Sequence, residues 1–380
     1  MERTFWKKRI KNLLNKRTIL WMAGVRRVGK TTLCQSIENA TYLDCELPRV
    51  RHRLDDPELF FRRHGSGQII LDEVHRLSDP SQVLKIAADH FPHIKVIATG
   101  SSTLAARRKF RDTLTGRKNV LWLLPATLAD LHDFKITDID KRLLYGGMPQ
   151  LLLGKGLNND DYTEWIDSFW AKDLQELFSI EKKSAFLRFM ELLFLQSGEL
   201  FEATRFAADC EVSRQTIINY LQILDTTLTM VIIRPYFRVS AAEIKSQPKV
   251  YGFDTGFVAY FREWESINNE NRGHLLEHLV LNELLAYYPR QSIYYWRDKQ
   301  RHEVDFIVKP KRSREILAIE CKVNPKKFDP AGMRAMRGRH PHGKNLVVCL
   351  DLLEAYPYQY GDLEILFMPY TQLDITLMAL

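Results

Sequence analysis

Gly24-Val-Arg-Arg-Val-Gly-Lys-Thr31 decides how this chain is read. The run fits G-x-x-x-x-G-K-[ST], a loop that wraps phosphate groups, and it lies in the setting such a loop requires. Immediately upstream, Thr18 to Ala23 (TILWMA) is a short apolar run that predicts a buried strand, and Lys30 to Asn39 follows with a helical pattern. Gly24 and Gly29 let the backbone approach phosphate oxygens, and a helix starting at Lys30 turns unpaired N–H groups toward the anion. Lys30 is expected to reach the β- and γ-phosphates and the Thr31 hydroxyl to ligate Mg²⁺. Val25, Arg26, Arg27, Val28 and Thr32 complete the expected nucleotide-binding set.

Forty-eight residues beyond Gly24, Gln68-Ile-Ile-Leu-Asp72-Glu73 is an apolar strand ending in two carboxylates. A chance glycine turn would not carry this second feature in the right order. Asp72 is expected to hold Mg²⁺ directly or through water, and Glu73 to polarise the attacking water. A third run, Ile94 to Thr99, ends in Gly100-Ser101-Ser102. Ligands of open α/β sheets bind beyond the carboxyl ends of the strands, so a polar γ-phosphate sensor belongs here, with Ser101 the first choice and Thr99 the second. Arg117, in Leu114-Thr-Gly-Arg117, is read either as an arginine finger for a neighbouring subunit or as a solvated member of the basic run at 107, 108, 109 and 111. Strands alternating with helices over the first ~150 residues predict a parallel α/β sheet.

The rest of the chain is bounded first by composition. Its 380 residues accommodate two to three domains, and 45% hydrophobic with 27% charged residues excludes disorder as the main state. No apolar run approaches the ~18–20 residues of a membrane helix. Residues 1–17 are basic and amphipathic, without the apolar core of a signal peptide. Five cysteines (34, 45, 210, 321, 349) lie far apart with no CxxC pair, which argues against a zinc ribbon or disulfide framework and for the cytoplasm. His52, His64, His75, His90 and His93 lack metal-ligand spacing.

The middle of the chain reads as a helix-turn-helix followed by a wing: Leu187 to Leu195, Ala203 to Cys210, Ser213 to Leu224, then a strand from Val231 to Phe237. Arg214, Gln215 and Asn219 would face outward. Five acids against two bases between Glu199 and Asp225 disfavour phosphate binding, so packing or protein contact is preferred there over DNA reading. Further on, Asp305 lies in the strand-like Glu303-Val-Asp-Phe-Ile-Val308, and Glu320 and Lys322 share a face of Ile316 to Val323. Glu277 lies upstream in an apolar helix, His274 to Tyr288. Charges interrupting apolar runs need a partner or a metal. Glu277, Asp305 and Glu320 are therefore candidate Mg²⁺ ligands, with Lys322 orienting a nucleophilic water against a phosphodiester. A vestigial domain that only grips DNA is the alternative.

GVRRVGKTTL, LDEVHRL, TGSS, LTGR and YGGMPQ resemble the AAA+ superfamily, in particular a prokaryotic family of AAA+ ATPases with an appended C-terminal nuclease-like domain. The resemblance runs to about residue 325, with His75 in place of a frequent glutamine and GVRR in place of the usual proline–arginine. It implies ATP rather than GTP, and a homo-oligomeric ring, by resemblance a hexamer. D-x14-E-x-K at Asp305, Glu320 and Lys322 is similar to the PD-(D/E)xK nucleases.

The expected fold class is α/β: a P-loop AAA+ parallel-sheet domain over 1–150, a helical lid over 151–183, a winged helix over 184–240, a linker over 241–267 and a restriction-endonuclease-like α/β domain over 268–380. The expected function is an ATPase coupled to a Mg²⁺-dependent DNA endonuclease. The alternative is a nucleotide-dependent regulatory or scaffold ATPase whose last domain only binds DNA or a protein. The net charge of +8 has an address: residues 289–345 hold 15 Lys and Arg against six acids, so DNA is the expected partner of that segment, with Lys311 and Arg312 among its contacts.

Overall fold

The computed structural model describes residues 2–100, 108–154, 156, 158–175, 178, 180–236, 247–309 and 315–379. Its first sheet contains β1 (Ile19–Ala23), β2 (Ala40–Asp44), β3 (Gly67–Asp72), β4 (Ile94–Thr99) and β5 (Lys118–Trp122). All pairings are parallel and the order is β2-β3-β4-β1-β5. Every residue of β1 is buried, as expected of a central parallel strand covered on both faces. Ile19, Trp21 and Ala23 enter one core and Leu20 and Met22 the other. The phosphate loop follows β1 directly, so the order of the sheet sets it between the ends of β4 and β5. Its helix is shorter than the sequence pattern suggested, Lys30–Gln35.

The three predicted middle helices are Lys183–Leu195, Ala203–Asp209 and Arg214–Thr226, the last capped by the Ser213 hydroxyl accepting from the Thr216 N–H. They lead into β6 (Met230–Pro235), which pairs antiparallel with β7 (Lys249–Gly252). Residues 241–267 were read as a linker. Within their described part, 247–267, they hold β7 and the helix Thr255–Phe261, both packed into the core.

β6 also pairs with β8 (Ile293–Arg297), through Arg234↔Tyr294 and Pro235↔Tyr295. The expected wing is therefore part of a larger mixed sheet, which continues through β9 (Glu303–Val308), β10 (Leu317–Lys322), β11 (Asn345–Cys349), β12 (Tyr356–Tyr360) and β13 (Leu363–Pro369). Its order is β12-β13-β11-β10-β9-β8-β6-β7. The helix Asn269–Tyr287 covers one face and Ala331–Arg339 the other.

One apolar core runs from Trp6 through the middle helices to Leu377, so the segments drawn from the sequence share a common interior. Buried polar contacts tie them as well. The Glu283 carboxylate accepts the Leu128 N–H at 2.8 Å, and the Asn282 amide donates to the Pro125 carbonyl at 3.2 Å. In the YGGMPQ turn, a Cβ on Gly146 would fall 1.9 Å from Asp254 Oδ1, which is why no side chain is accommodated there. Asp254 accepts the N–H of Gly147 at 2.6 Å and faces the buried Arg142 guanidinium at 4.0 Å.

Candidate functional site

The phosphate loop passes so close to β5 that a Cβ on Gly24 would meet the Leu123 carbonyl at 2.6 Å. Val25 and Val28 point into the core and anchor the loop, while Arg26 and Arg27 face outward. The Lys30 ammonium donates to the carbonyls of Gly24 and Val25, at 2.9 and 3.0 Å. Burial lowers its pKa, partly offset by the charges of Glu73 and Asp173. An arriving phosphate would take over these two hydrogen bonds.

At the end of β3, Asp72 collects three hydroxyls: Thr31 at 2.9 Å, Tyr42 at 2.6 Å, and Thr99. Thr31 and Asp72, the two residues read as Mg²⁺ ligands, stand together, and a threonine oxygen beside a carboxylate is a hard donor set of the kind that suits Mg²⁺. Glu73 has a left-handed backbone (φ 54°) with its N–H donated to the Thr99 hydroxyl. Burial would raise the Glu73 carboxyl, but the hydrogen bond from His75 and the charges of Lys30, His75 and Arg26 hold it below its ordinary value. It is therefore an anion at neutral pH, as an acceptor from water requires.

Thr99, the second choice for a γ-phosphate sensor, is buried and fastens β4 to the acidic end of β3. Ser101, the first choice, lies outside the described residues. Arg117 grips Asp89 of its own chain through two nitrogens, at 2.6 and 3.0 Å, and donates to the Thr113 carbonyl. Reaching a neighbouring subunit would require giving up that pair.

Contributions from the middle of the chain were not foreseen. A cleft of about 420 Å³ is lined by Gly24, Lys30, Thr31 and Glu73 on one side and by Gln150, Lys172 and Asp173 on the other. Asp173 holds Arg26 at 2.7 Å, Glu164 holds Arg27, and the Trp165 indole donates to the Arg26 carbonyl at 3.0 Å. The available signal was Trp165 and Asp173 on one helical stretch, which is indistinguishable from ordinary amphipathicity until the loop is packed against it.

The C-terminal acids converge, though not as a ligand set. Continuing the β9–β10 register one step past Ile319↔Phe306 sets Glu320 opposite Asp305. Between Tyr294↔Ile307 and Trp296↔Val304, β9 uses three steps where β8 uses two, which places a bulge at Asp305–Phe306. Asp305 accepts the Cys321 N–H at 2.8 Å, and Glu320 pairs with Lys322 at 2.9 Å. Glu277 accepts the Tyr251 hydroxyl at 2.9 Å and lies 3.9 Å from the Lys249 ammonium, which also reaches Glu303 at 2.5 Å. Burial, and then the Asp305 charge, push Glu277 up to about 7; burial likewise lifts Glu320 to about 7, with Asp305 adding to it and Lys322 opposing.

Among the described residues no three His, Cys, Asp or Glu stand close enough to hold a metal ion. The expected Mg²⁺ ligands Glu277, Asp305 and Glu320 are each engaged by a protein donor and do not fit Mg²⁺ as placed. Lys249, Tyr251 and Glu303 were missed. Lys249 stands at the start of Lys249-Val-Tyr, after Ser246-Gln-Pro248, so the rule that selected Asp305 and Glu320, a charge interrupting an apolar run, does not reach it.

The basic excess of 289–345 is partly consumed by the fold. Arg337 donates to the carbonyls of Ile316, His340, His342 and Lys344, while Arg290, Arg297, Lys322 and Arg339 face acids. Lys311 and Arg312 lie outside the described residues.

Comparison with known proteins divides the chain in three. Residues 16–132 match a family described as an AAA domain, and residues 136–268 and 272–371 match two families described only as domains of unknown function. An uncharacterized protein of Mycobacterium tuberculosis is 27% identical over 312 residues, covering 79% of this chain and 69% of its own length. One from Methanocaldococcus jannaschii is 26% identical over 286 residues, covering 61% and 60%. Among solved structures, the Walker-type ATPase of Pyrococcus abyssi shares 13% identity over 69% of this chain and 95% of its own, with a TM-score of 0.44. The Bacillus subtilis DNA clamp loader delta protein shares 11% over 58% and 88%, with a TM-score of 0.27. With the family match, the loop geometry and the strand order taken together, residues 16–132 form a P-loop domain of the AAA type.

Proposed function

We propose that this protein is an ATP-hydrolysing switch in which nucleotide state at the phosphate loop is passed to the middle and C-terminal segments. The observation that carries the reading is the two-sided cleft: Lys30 and Thr31 of the loop, with Glu73 after β3, face Lys172 and Asp173, and Arg26 bridges the sides through Asp173. Thr31 and Asp72 would hold Mg²⁺, which supplies charge neutralisation across the phosphates. Lys30 leaves the Gly24 and Val25 carbonyls for phosphate oxygens, and Glu73 accepts the hydrogen bond of the attacking water. A triphosphate would compete with Asp173 for Arg26. That competition is the point at which nucleotide binding loosens the middle segment, whose Asp254 carries the Gly146–Gly147 turn beside the loop.

DNA is proposed as the partner of the C-terminal segment, held by exposed lysines such as Lys326 and Lys327. Cleavage is not part of the proposal, because the acids it needs are occupied by Lys249, Tyr251, Lys322 and the Cys321 N–H. A ring assembly, of which a hexamer is the superfamily form, and a cytoplasmic setting complete the reading. All five cysteines are free and buried, consistent with a reducing compartment.

The test is ATP turnover by purified protein with Mg²⁺. Lys30→Ala should abolish it, and Glu73→Gln should retain ATP binding while slowing turnover by about 100-fold or more. Turnover retained in Lys30→Ala refutes the nucleotide assignment. Mg²⁺-dependent cutting of branched, single- or double-stranded DNA that Glu320→Ala removes would restore the nuclease reading.

A further inference from the structure

Lys249 is the cation set against Glu277 and Glu303 of the C-terminal acidic cluster, yet it arrives from the preceding segment. β7 belongs to the 136–268 family region, whereas Glu277, Glu303, Asp305 and Glu320 belong to the 272–371 region. The strand is not free to swing. Lys249 pairs with Ile233 across the hairpin and bridges Leu200 on its other side, and its side chain is 8% exposed. From this fixed backbone its ammonium stands between Glu303 and Glu277, and Tyr251 two residues on donates to the same Glu277 oxygen. Arg297 approaches the second oxygen of Glu303 at 3.6 Å.

Lys249, Glu277, Glu303 and Arg297 line a cavity of about 500 Å³ together with Gly198, Arg205 and His274, so a small cation has room there. A divalent cation binds through oxygens at about 2.0–2.6 Å and is repelled by an ammonium among those same oxygens. We propose that Lys249 is the resident cation of this cluster, taking the position between Glu277 and Glu303 and keeping divalent metal out. The site is thus completed by one region of the chain and closed against metal by the other. The inference is independent of the nucleotide reading.

Calorimetric titration of Mn²⁺ into the nucleotide-free full chain tests it. Wild type should show no site tighter than about 1 mM. Lys249→Met should gain one site at least about 10-fold tighter, and adding Glu277→Gln should remove it. Lys249→Arg, which keeps the charge and serves as the folded control, should behave as wild type. Submillimolar Mn²⁺ binding by wild type that Glu277→Gln or Asp305→Asn abolishes overturns the proposal, whether or not Lys249→Met folds. A folded Lys249→Met protein that binds no Mn²⁺ overturns it equally.

Discussion

Replacing Glu283 by glutamine should stabilise this protein at neutral pH, against the usual direction of core substitutions. Glu283 is fully buried where the helix Asn269–Tyr287 meets the P-loop domain; one oxygen accepts the Leu128 N–H and the Tyr370 hydroxyl at 3.3 Å. Its other oxygen is buried without a hydrogen-bond partner among the described residues. Burial pushes the carboxyl from 4.5 up to about 8, with Asp374 and Asp130 adding to it and the Leu128 N–H opposing. Between those values the folded chain holds a proton that the unfolded chain has lost, so stability falls as pH rises through the window. The slope is about 1.4 kcal/mol per pH unit, which amounts to about 3 kcal/mol by pH 7 and about 5 kcal/mol once pH passes 8. Glutamine keeps the acceptor for Leu128 and cannot ionise. Urea unfolding of both proteins from pH 5 to 8.5 should therefore show curves that nearly meet at pH 5 and separate by about 3 kcal/mol at pH 7. A Glu283→Gln protein less stable than wild type at pH 7, or a difference independent of pH, would refute the argument.

Other consequences follow from the same contacts. Asp173→Asn releases Arg26 and removes a carboxylate from the phosphate site, so ATP should bind several-fold more tightly by calorimetry; weaker binding would show that the Arg26–Asp173 pair helps to form the site instead of competing for it. Arg3 and Asp130 are a buried pair at 2.6 Å, and Arg3 also donates to the Val28 carbonyl of the loop at 3.0 Å. Arg3→Met strands a buried carboxylate and should cost about 3–5 kcal/mol in chemical denaturation, a loss below 1 kcal/mol being inconsistent with that burial. Lys326→Glu with Lys327→Glu should weaken DNA binding and flatten its salt dependence, and unchanged affinity in both respects would remove DNA from the account.

How much of this was legible in the sequence depends on where each residue's constraint comes from. The phosphate loop, β3 with its two acids and β4 are local signals, because a central parallel strand must be apolar throughout and its carboxyl end must be polar. β2 (ATYLD) and β5 (KNVLW) are edge strands with mixed exposure, so nothing in their composition separates them from loops. The wing was seen as a strand, but its pairing with β8 depends on residues some 60 positions away, and contacts of that range leave no local trace. Lys172, Asp173 and Lys249 fail for the same reason: each becomes meaningful only when another segment is packed against it. The acids 277, 305 and 320 were legible as charges in apolar elements, while the cation beside Glu277 comes from a stretch read as linker. Charge totals likewise carry no position, since Arg337 spends its donors on backbone carbonyls.

In the proposed switch, nucleotide at the loop is felt in the middle segment. Hydrogen exchange of the full chain with and without Mg·ATP measures this directly. Exchange should slow at 24–32 and change at 158–175 and around 146–149 and 254–256, all of it absent in Lys30→Ala. Protection confined to the loop, with the middle segment unchanged, would contradict it.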